Sequence, residues 1–547
     1  VFSSFGVVRY VDLKSTNATP PFTNWITAAT NIQDAIDAAL PGDEIIVTNG
    51  VYQTGGRAVY GTMTNRVVVH KPLVVRSVNG PALTVIRGYQ VPGSVLSTNA
   101  IRCVYLTNGA SISGFTLANG ATQTKQFLIP DPAVVGGGIW CEAGAVVSNC
   151  VVAGNVAFLG GGGAHGGTFH DCTLSGNQVA HAFGEGGGGV LRGTLYRCTL
   201  SGNSSVMNGG GASLSTLTDC ILTGNSAVEN GGGAVSSRLD YCLVISNSAY
   251  FGGGTVYGTL KNCTIIGNLG VEGGGAAFSW SVSSDSLNNC LLIANSAVYG
   301  GGARYCTMKN CTLANNSAMT TGGGTDSSDL YNCIVYYNTA PSGSNSSNAT
   351  LNYSCTTPKP AAGSSNITNA PLFVDLSGGN LRLRNNSPCI NGGTNGYAVG
   401  STDLDGRPRT VGGTVDIGAY EFQGPGMSEF IAWLQQYGLR TDGSADFADT
   451  DIEGMNNWQE WRAGTDPTNA LSALRLLSPS SGSSGVILRW QSVTNRNYFL
   501  ERSADLGTSP VFSLLSSNIV GQPGTTTYVD TNTVGSARFF YRVGVQE

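Results

Sequence analysis

The chain has 547 residues, 78 of them glycine, with 28 Lys and Arg against 33 Asp and Glu and a formal net charge of −5. Glycine is about twice, and charge about half, their usual share in soluble domains, yet 41% hydrophobic residues can build a core, which excludes a charged, disordered chain. Gly-X-Y phasing, apolar runs of about 18 residues and basic runs are all missing, which excludes collagen, a helical membrane span and a nucleic-acid partner.

The sequence opens at Val1 with no charged-then-apolar leader, so it reads as a mature exported protein. Asn31 precedes Ile32, Ala35, Ile36, Ala39 and Leu40, an apolar stripe at helical spacing that Pro41 and Gly42 stop. This predicts a helical lid, and EIIVTNGVY at 44–52 predicts the first strand.

A repeat then takes over. Cys150, Cys172, Cys198, Cys220, Cys242, Cys263, Cys290, Cys311 and Cys333 follow at intervals of 22, 26, 22, 22, 21, 27, 21 and 22. Asparagine recurs five residues after each, at Asn155, Asn177, Asn203, Asn225, Asn247, Asn268, Asn295, Asn316 and Asn338, and a glycine triplet precedes most of the following rungs. About 22 residues is short for a helix pair, and the phrases alternate apolar residues with Thr or Ser, the period of a strand. Short strands joined by Gly and Asn turns make one coil of a parallel β-helix, stacked at about 4.8 Å. The cysteines are expected inside as a reduced ladder, and the asparagines as a ladder at the bends, in left-handed conformations. The extra residues of the two long intervals are expected to protrude. Cys355 and Cys389, off phase, are the better disulfide candidates, and Cys306 with Cys311 a lesser one.

Charges just before the cysteines, Asp171, Arg197, Asp219, Asp240, Lys261 and Lys309, alternate in sign and read as a solvated edge with ion pairs between rungs. No residue is assigned as catalytic; Arg238 with Lys261 is the best lyase-like pair, without an acidic cluster beside it. His165, His170 and His181 fall at three phases of the coil, which argues against a shared zinc site. Tyr196, Tyr241 and Tyr331 could stack on sugars or cover the glycine-rich surface.

TNIQDAIDAALPGDEIIVTNGVY resembles the opening of secreted pectate-lyase-like right-handed parallel β-helix proteins. The CTLSGN and CTIIGN phrases with their glycine triplets look like the coils of polymorphic outer-membrane-type proteins. Residues 387–423 are similar to the closing segment of β-helix proteins with a choice-of-anchor module. The resemblance, over about residues 25–423, implies the right-handed fold and secretion. It also implies an alternative activity as a polysaccharide lyase or hydrolase.

Charge density rises after Pro425, to 20 charged residues in 427–547 against 19 in 100–340. FIAWLQQYG predicts a short helix. The segment from Asp449 to Glu460 then matches a calcium loop: Asp449, Asp451, Glu453, Asn457 and Glu460 offer oxygens at positions 1, 3, 5, 9 and 12, Gly454 makes the turn at position 6, and Met455 would lend its carbonyl at position 7. Glu453 and Asn457 depart from the commonest pattern, and an acidic, ion-free helix start is the alternative. DTDIEGMNNWQEWRAGTDPTN looks like the calcium-loop linkers that follow β-helices in secreted bacterial proteins, so Ca2+ is expected as a structural ion. VILRW, YFLERS, TTYVD and RFFYRVGV predict a small β-sandwich of the fibronectin or carbohydrate-module kind, with Trp490, Tyr498, Phe540 and Tyr541 in its core. Trp490 as a sugar platform is the alternative.

The whole is therefore expected to be all-β: cap and first strands at 1–60, right-handed parallel β-helix at 61–425, calcium-loop linker at 426–470, and β-sandwich at 471–547. Its flat, nearly uncharged faces suit an extracellular structural or adhesive protein whose partner is another copy of itself, in a filament or surface layer. Extracellular glycans are the alternative partner, for a monomeric adhesin.

Overall fold

The computed structural model describes residues 6–124, 131–181, 183–278, 286–411, 413–423, 425–440, 445, 448–482, 484–494, 496–503, 512–531 and 539–546, excepting the side chains of 425–429, 431 and 481. Val1, most of the insertion in the 27-residue interval (279–285) and Arg538 lie outside them.

Three sheets of 14, 13 and 13 strands, parallel except where Arg57–Ala58 pairs antiparallel with Thr64–Val69, stack along the first unit, which comprises residues up to Leu372 and Asn386–Phe422. Each 22-residue phrase contributes one short strand to each sheet, so the chain closes a coil and meets its own repeat one rung on. Like residues therefore stack on like. Leu195, Leu217, Leu239, Leu260, Leu287 and Met308 pair in register on one inner face, and Leu174, Leu200, Leu222, Val244, Ile265 and Leu292 on another. All are buried, so the solenoid has one continuous core. Among the described residues no helix is long and apolar enough to cross a membrane.

The corners explain the glycine. Gly231, with φ of +61°, turns the chain, and a Cβ on Gly232 would lie 2.4 Å from Ser248 O and 2.5 Å from Gly253 O. Neighbouring backbones pass too close there for any side chain. At the opposite corner the residue before each ladder cysteine, from Asn149 to Asn332, takes φ between 46° and 54°. The left-handed residue is thus the one before the cysteine, or the one before the ladder asparagine such as Gly224 (φ 61°), and not the ladder asparagine itself.

The cap forms as expected over Ile32–Ala38, where the Asn31 side chain accepts from Asp34 N and Ile32, Ala35 and Ile36 are buried. Leu40 lies beyond the helix end and is exposed. The first strand of the stack is Val8–Val11, ahead of the helix, pairing with Glu44–Val47. A buried Arg9–Asp43 ion pair at 2.8 Å ties it down.

The second unit comprises Phe373–Asn385 and Gln423–Glu547, so a hairpin (Phe373–Asp375 with Asn380–Leu383) groups with the linker and sandwich. Helix Pro425–Gln436 and helix Asn457–Ala463 share an aromatic cluster of Phe430, Trp433, Trp458 and Trp461. The sandwich has two three-stranded antiparallel sheets, Ser480–Gly482, Gly485–Ser492 and Gly524–Asp530 facing Asn497–Ser503, Ser513–Val520 and Phe540–Val545. Leu488, Trp490, Tyr498 and Leu500 form its core with Tyr541 packed against them. Phe540, expected in that core, alternates to the outside and is exposed.

Candidate metal centre

The calcium-like loop turns at Ile452 (φ 63°) and Gly454 (φ 103°), the second being the position where the spacing demanded glycine. Asp449 accepts the backbone N–H groups of Glu453 and Gly454, at 3.1 and 2.9 Å, which folds the loop back on itself. Helix Asn457–Ala463 follows at once. Asn456 and Gln459 form its capping box, and Gly464 (φ 75°) ends it. One turn into the helix, Glu460 faces the loop.

Asp451, Glu453 and Glu460 each bring a carboxylate oxygen within 4.8 Å of the others. Glu460 is fully buried. Both oxygens of Asp451 and Oε2 of Glu460 are sealed from water and accept no hydrogen bond, whereas Glu460 Oε1 accepts from Thr465 Oγ1 and Glu453 Oε1 from Met455 N. Burial, reinforced by the charges of Asp451 and Glu453, pushes Glu460 up to about 7, and burial with the charges of Asp451 and Asp449 raises Glu453. Carboxylate oxygens buried without donors are costly unless something positive lies among them. Three hard oxygen donors suit Ca2+ or Mg2+ rather than a thiophilic metal.

Asn457, expected at position 9, is turned into the fold: its Nδ2 donates to Ala445 O and its Oδ1 accepts from Thr450 Oγ1. Its amide is thereby committed to holding the helix against the residues before the loop. Met455 also takes part in packing, its Sδ accepting from Leu474 N.

The ladders of the first unit are closed systems. Each asparagine from Asn155 to Asn316 donates Nδ2 to Oδ1 of the next at 2.9–3.0 Å and a second hydrogen to a carbonyl of the preceding coil; Asn338 continues to Asn345 at 3.1 Å. Each ladder cysteine sits at a corner just before its strand, is buried and is a free thiol. Cys220 donates to Thr218 O and accepts from Cys198 N. Burial pushes the Cys150 thiol up to about 12. The expected Cys355–Cys389 disulfide is not formed: both thiols are free and neighbour each other, and Cys355 donates to Asn369 O. Cys306 and Cys311 are likewise buried thiols and not a disulfide.

Arg238 and Lys261 stand in different outward columns: Arg238 registers with Thr259, and Lys261 with Asp240. Asp171 and Arg197 do pair between rungs, at 2.8 Å in the open. The three histidines are apart, His165 stacked on Trp140, His170 on Tyr196 and His181 against Phe158. Tyr331 packs on Tyr397, and Tyr241 is exposed. Trp490 is sealed in the sandwich core, which removes it as a sugar platform.

One polar site was not anticipated residue by residue. In the closing segment, Asp403, Asp416 and Glu421 each accept two or more backbone N–H groups, while buried Arg409 donates to the carbonyls of Asp416, Gly418 and Ala419. The segment is latched to the coils through Asn289 and Asn332, whose Nδ2 atoms donate to Thr402 O and Thr394 O. Burial raises Asp403 to about 6 and Glu421 to about 7.

No protein-family model matches the chain, and no curated protein does. Among solved structures, pectate lyase Pel9A is similar at 15% identity and a TM-score of 0.32, over 76% of this chain and 97% of its own. A rhamnogalacturonan lyase is similar at 12% and 0.29, over 80% and 100%. Tailspike protein 2 of the Escherichia coli O157:H7 bacteriophage CAB120 is similar at 10% and 0.24, over 98% and 64%. None of these values is high enough to carry an activity across.

Proposed function

We propose that this chain is an extracellular structural or adhesive protein that associates with copies of itself, with Ca2+ as a structural ion of its second unit. The unbroken hydrogen-bonded column from Asn155 to Asn338 carries this reading, because it makes the coils a stiff rod whose length and side-chain spacing are set by repetition. The outward positions of those coils are mostly Thr, Ser and other short, uncharged groups, which a second surface can cover with little desolvation cost. Electron microscopy of the full chain tests it: filaments or sheets are expected. Dispersed single particles under all conditions, or unsaturated or reducing-end products from uronic-acid polymers, would overturn it.

For the ion, the support is the orphaned oxygens of Asp451 and Glu460 within reach of Glu453. Ca2+ there would fasten loop 449–456 to helix Asn457–Ala463. Its test is the melting temperature of the full chain with and without millimolar calcium; no shift would sink the ion and leave the rod reading untouched.

A further inference from the structure

Past the ladder asparagine each coil makes a short turn before the glycine triplet, and the residue three after the asparagine lies on its outside. Six successive coils place Val206, Val228, Tyr250, Val271, Val298 and Met319 there. Ala180 and Pro341 extend the series at its two ends. Two residues earlier, Ser204, Ser226, Ser248, Leu269, Ser296 and Ser317 pair coil to coil in parallel, which brings the apolar residues to one outer bend, with Glu229 and Thr320 interposed where a turn is one residue longer. At about 4.8 Å per coil, the six span about 24 Å.

None of these residues is buried, and Val228, Tyr250 and Met319 are 65%, 47% and 75% exposed. The contrast lies on a neighbouring outer face, where Tyr196, Thr218, Asp240, Lys261, Asn288 and Lys309 stack in a column of mixed polarity. Single exposed apolar residues are ordinary, but an apolar side chain at the same outer bend of six successive coils is the mark of a surface that is covered.

We propose that this apolar rail is the contact through which one copy of the chain lies alongside a second. The inference rests on the self-association reading and names the surface it uses. With Leu269 and Phe251 beside it, the rail exposes apolar area on the order of 500 Å2, a large part of the roughly 800 Å2 per partner that a standard interface buries. Of the two acids that border it, Glu272 is paired with Arg304 at 2.9 Å and Glu229 is exposed. A second rail could therefore meet it with its apolar centre dry and Glu229 left in water.

Sedimentation of the full chain across micromolar concentrations tests this, using Val228→Asp with Met319→Asp, and Thr223→Asp on another outer face as control. The parent is expected to associate, the Asp pair to weaken association by about tenfold or more, and the control to leave it unchanged. Should the Asp pair melt early, Val228→Thr with Met319→Gln takes its place. A parent that associates equally well with the rail altered would overturn the rail and leave self-association standing. A parent that stays monomeric would overturn both.

Discussion

In the coil stack, Asn225 donates to Leu200 O and Asn247 Oδ1 and accepts from both N and Nδ2 of Asn203, so a buried polar column is satisfied by its own repetition. In the linker, Asp451 and Glu460 bury carboxylate oxygens that no donor reaches. The difference separates two uses of a buried polar group. The neutral amide is both donor and acceptor, so identical copies complement one another indefinitely. An ionised carboxylate only accepts, so crowding copies together creates a demand that the chain does not meet.

The contrast can be broken first at the ladder. Asn225→Ala strips the acceptor from two Asn203 donors, leaves Asn247 Oδ1 with only the backbone N–H of residue 225, takes the side-chain donor from Leu200 O, and is expected to cost about 4 kcal/mol in denaturant unfolding of the full chain. A loss below about 1 kcal/mol would mean that water or a shifted neighbour replaces the rung. The carboxylate cluster should respond in the opposite sense. Glu460→Gln is expected to stabilise the calcium-free second unit by removing a buried charge, while abolishing a calcium stabilisation of about 3 kcal/mol at saturating ion. Calorimetry with and without chelator reads both effects.

The pH dependence sharpens the same point. Because the folded pKa of Glu460 is about 7, above its ordinary 4.5, the folded chain holds a proton that the unfolded chain releases. Its contribution is complete below about 4.5 and is lost as pH rises through about 7. Without calcium, the parent should therefore lose stability over this window relative to Glu460→Gln; the difference cancels the parallel contributions of Asp403 and Glu421. Saturating calcium should reverse the trend, since the ion displaces the proton. Equal slopes for parent and variant would remove Glu460 as the titrating group. The smallest effect is expected at the thiol ladder, where Cys220→Ala should cost about 1 kcal/mol, since it removes one sulfur and its weak hydrogen bonds from a packed corner.

The coil was legible because a solenoid converts periodicity directly into contact: a residue 22 positions on is the residue one rung on. That made the in-register leucine faces, the cysteine and asparagine ladders and the helical cap readable from spacing. Where the chain does not repeat, the reading thinned. Val8–Val11 joins the stack from ahead of the cap, and Phe540 alternates outward because the strand phase, which depends on sheet pairing, set it there. Asn457 matched a ligand position by spacing, but its amide is drawn to Ala445 and Thr450. The amide-lined carboxylates of Asp403, Asp416 and Glu421 left no signal beyond a family likeness, because their partners are backbone groups that any residue could supply.

By itself, then, the sequence determined the solenoid, its period and the identity of its inward columns, because stacking identical coils leaves one register that pairs like with like. Only the tertiary structure decided which bend residues are left-handed, that Cys355 and Cys389 are neighbours without a bond, and which carboxylates converge. Those outcomes depend on where non-repeating backbone comes to rest in three dimensions, and spacing along the chain does not encode it.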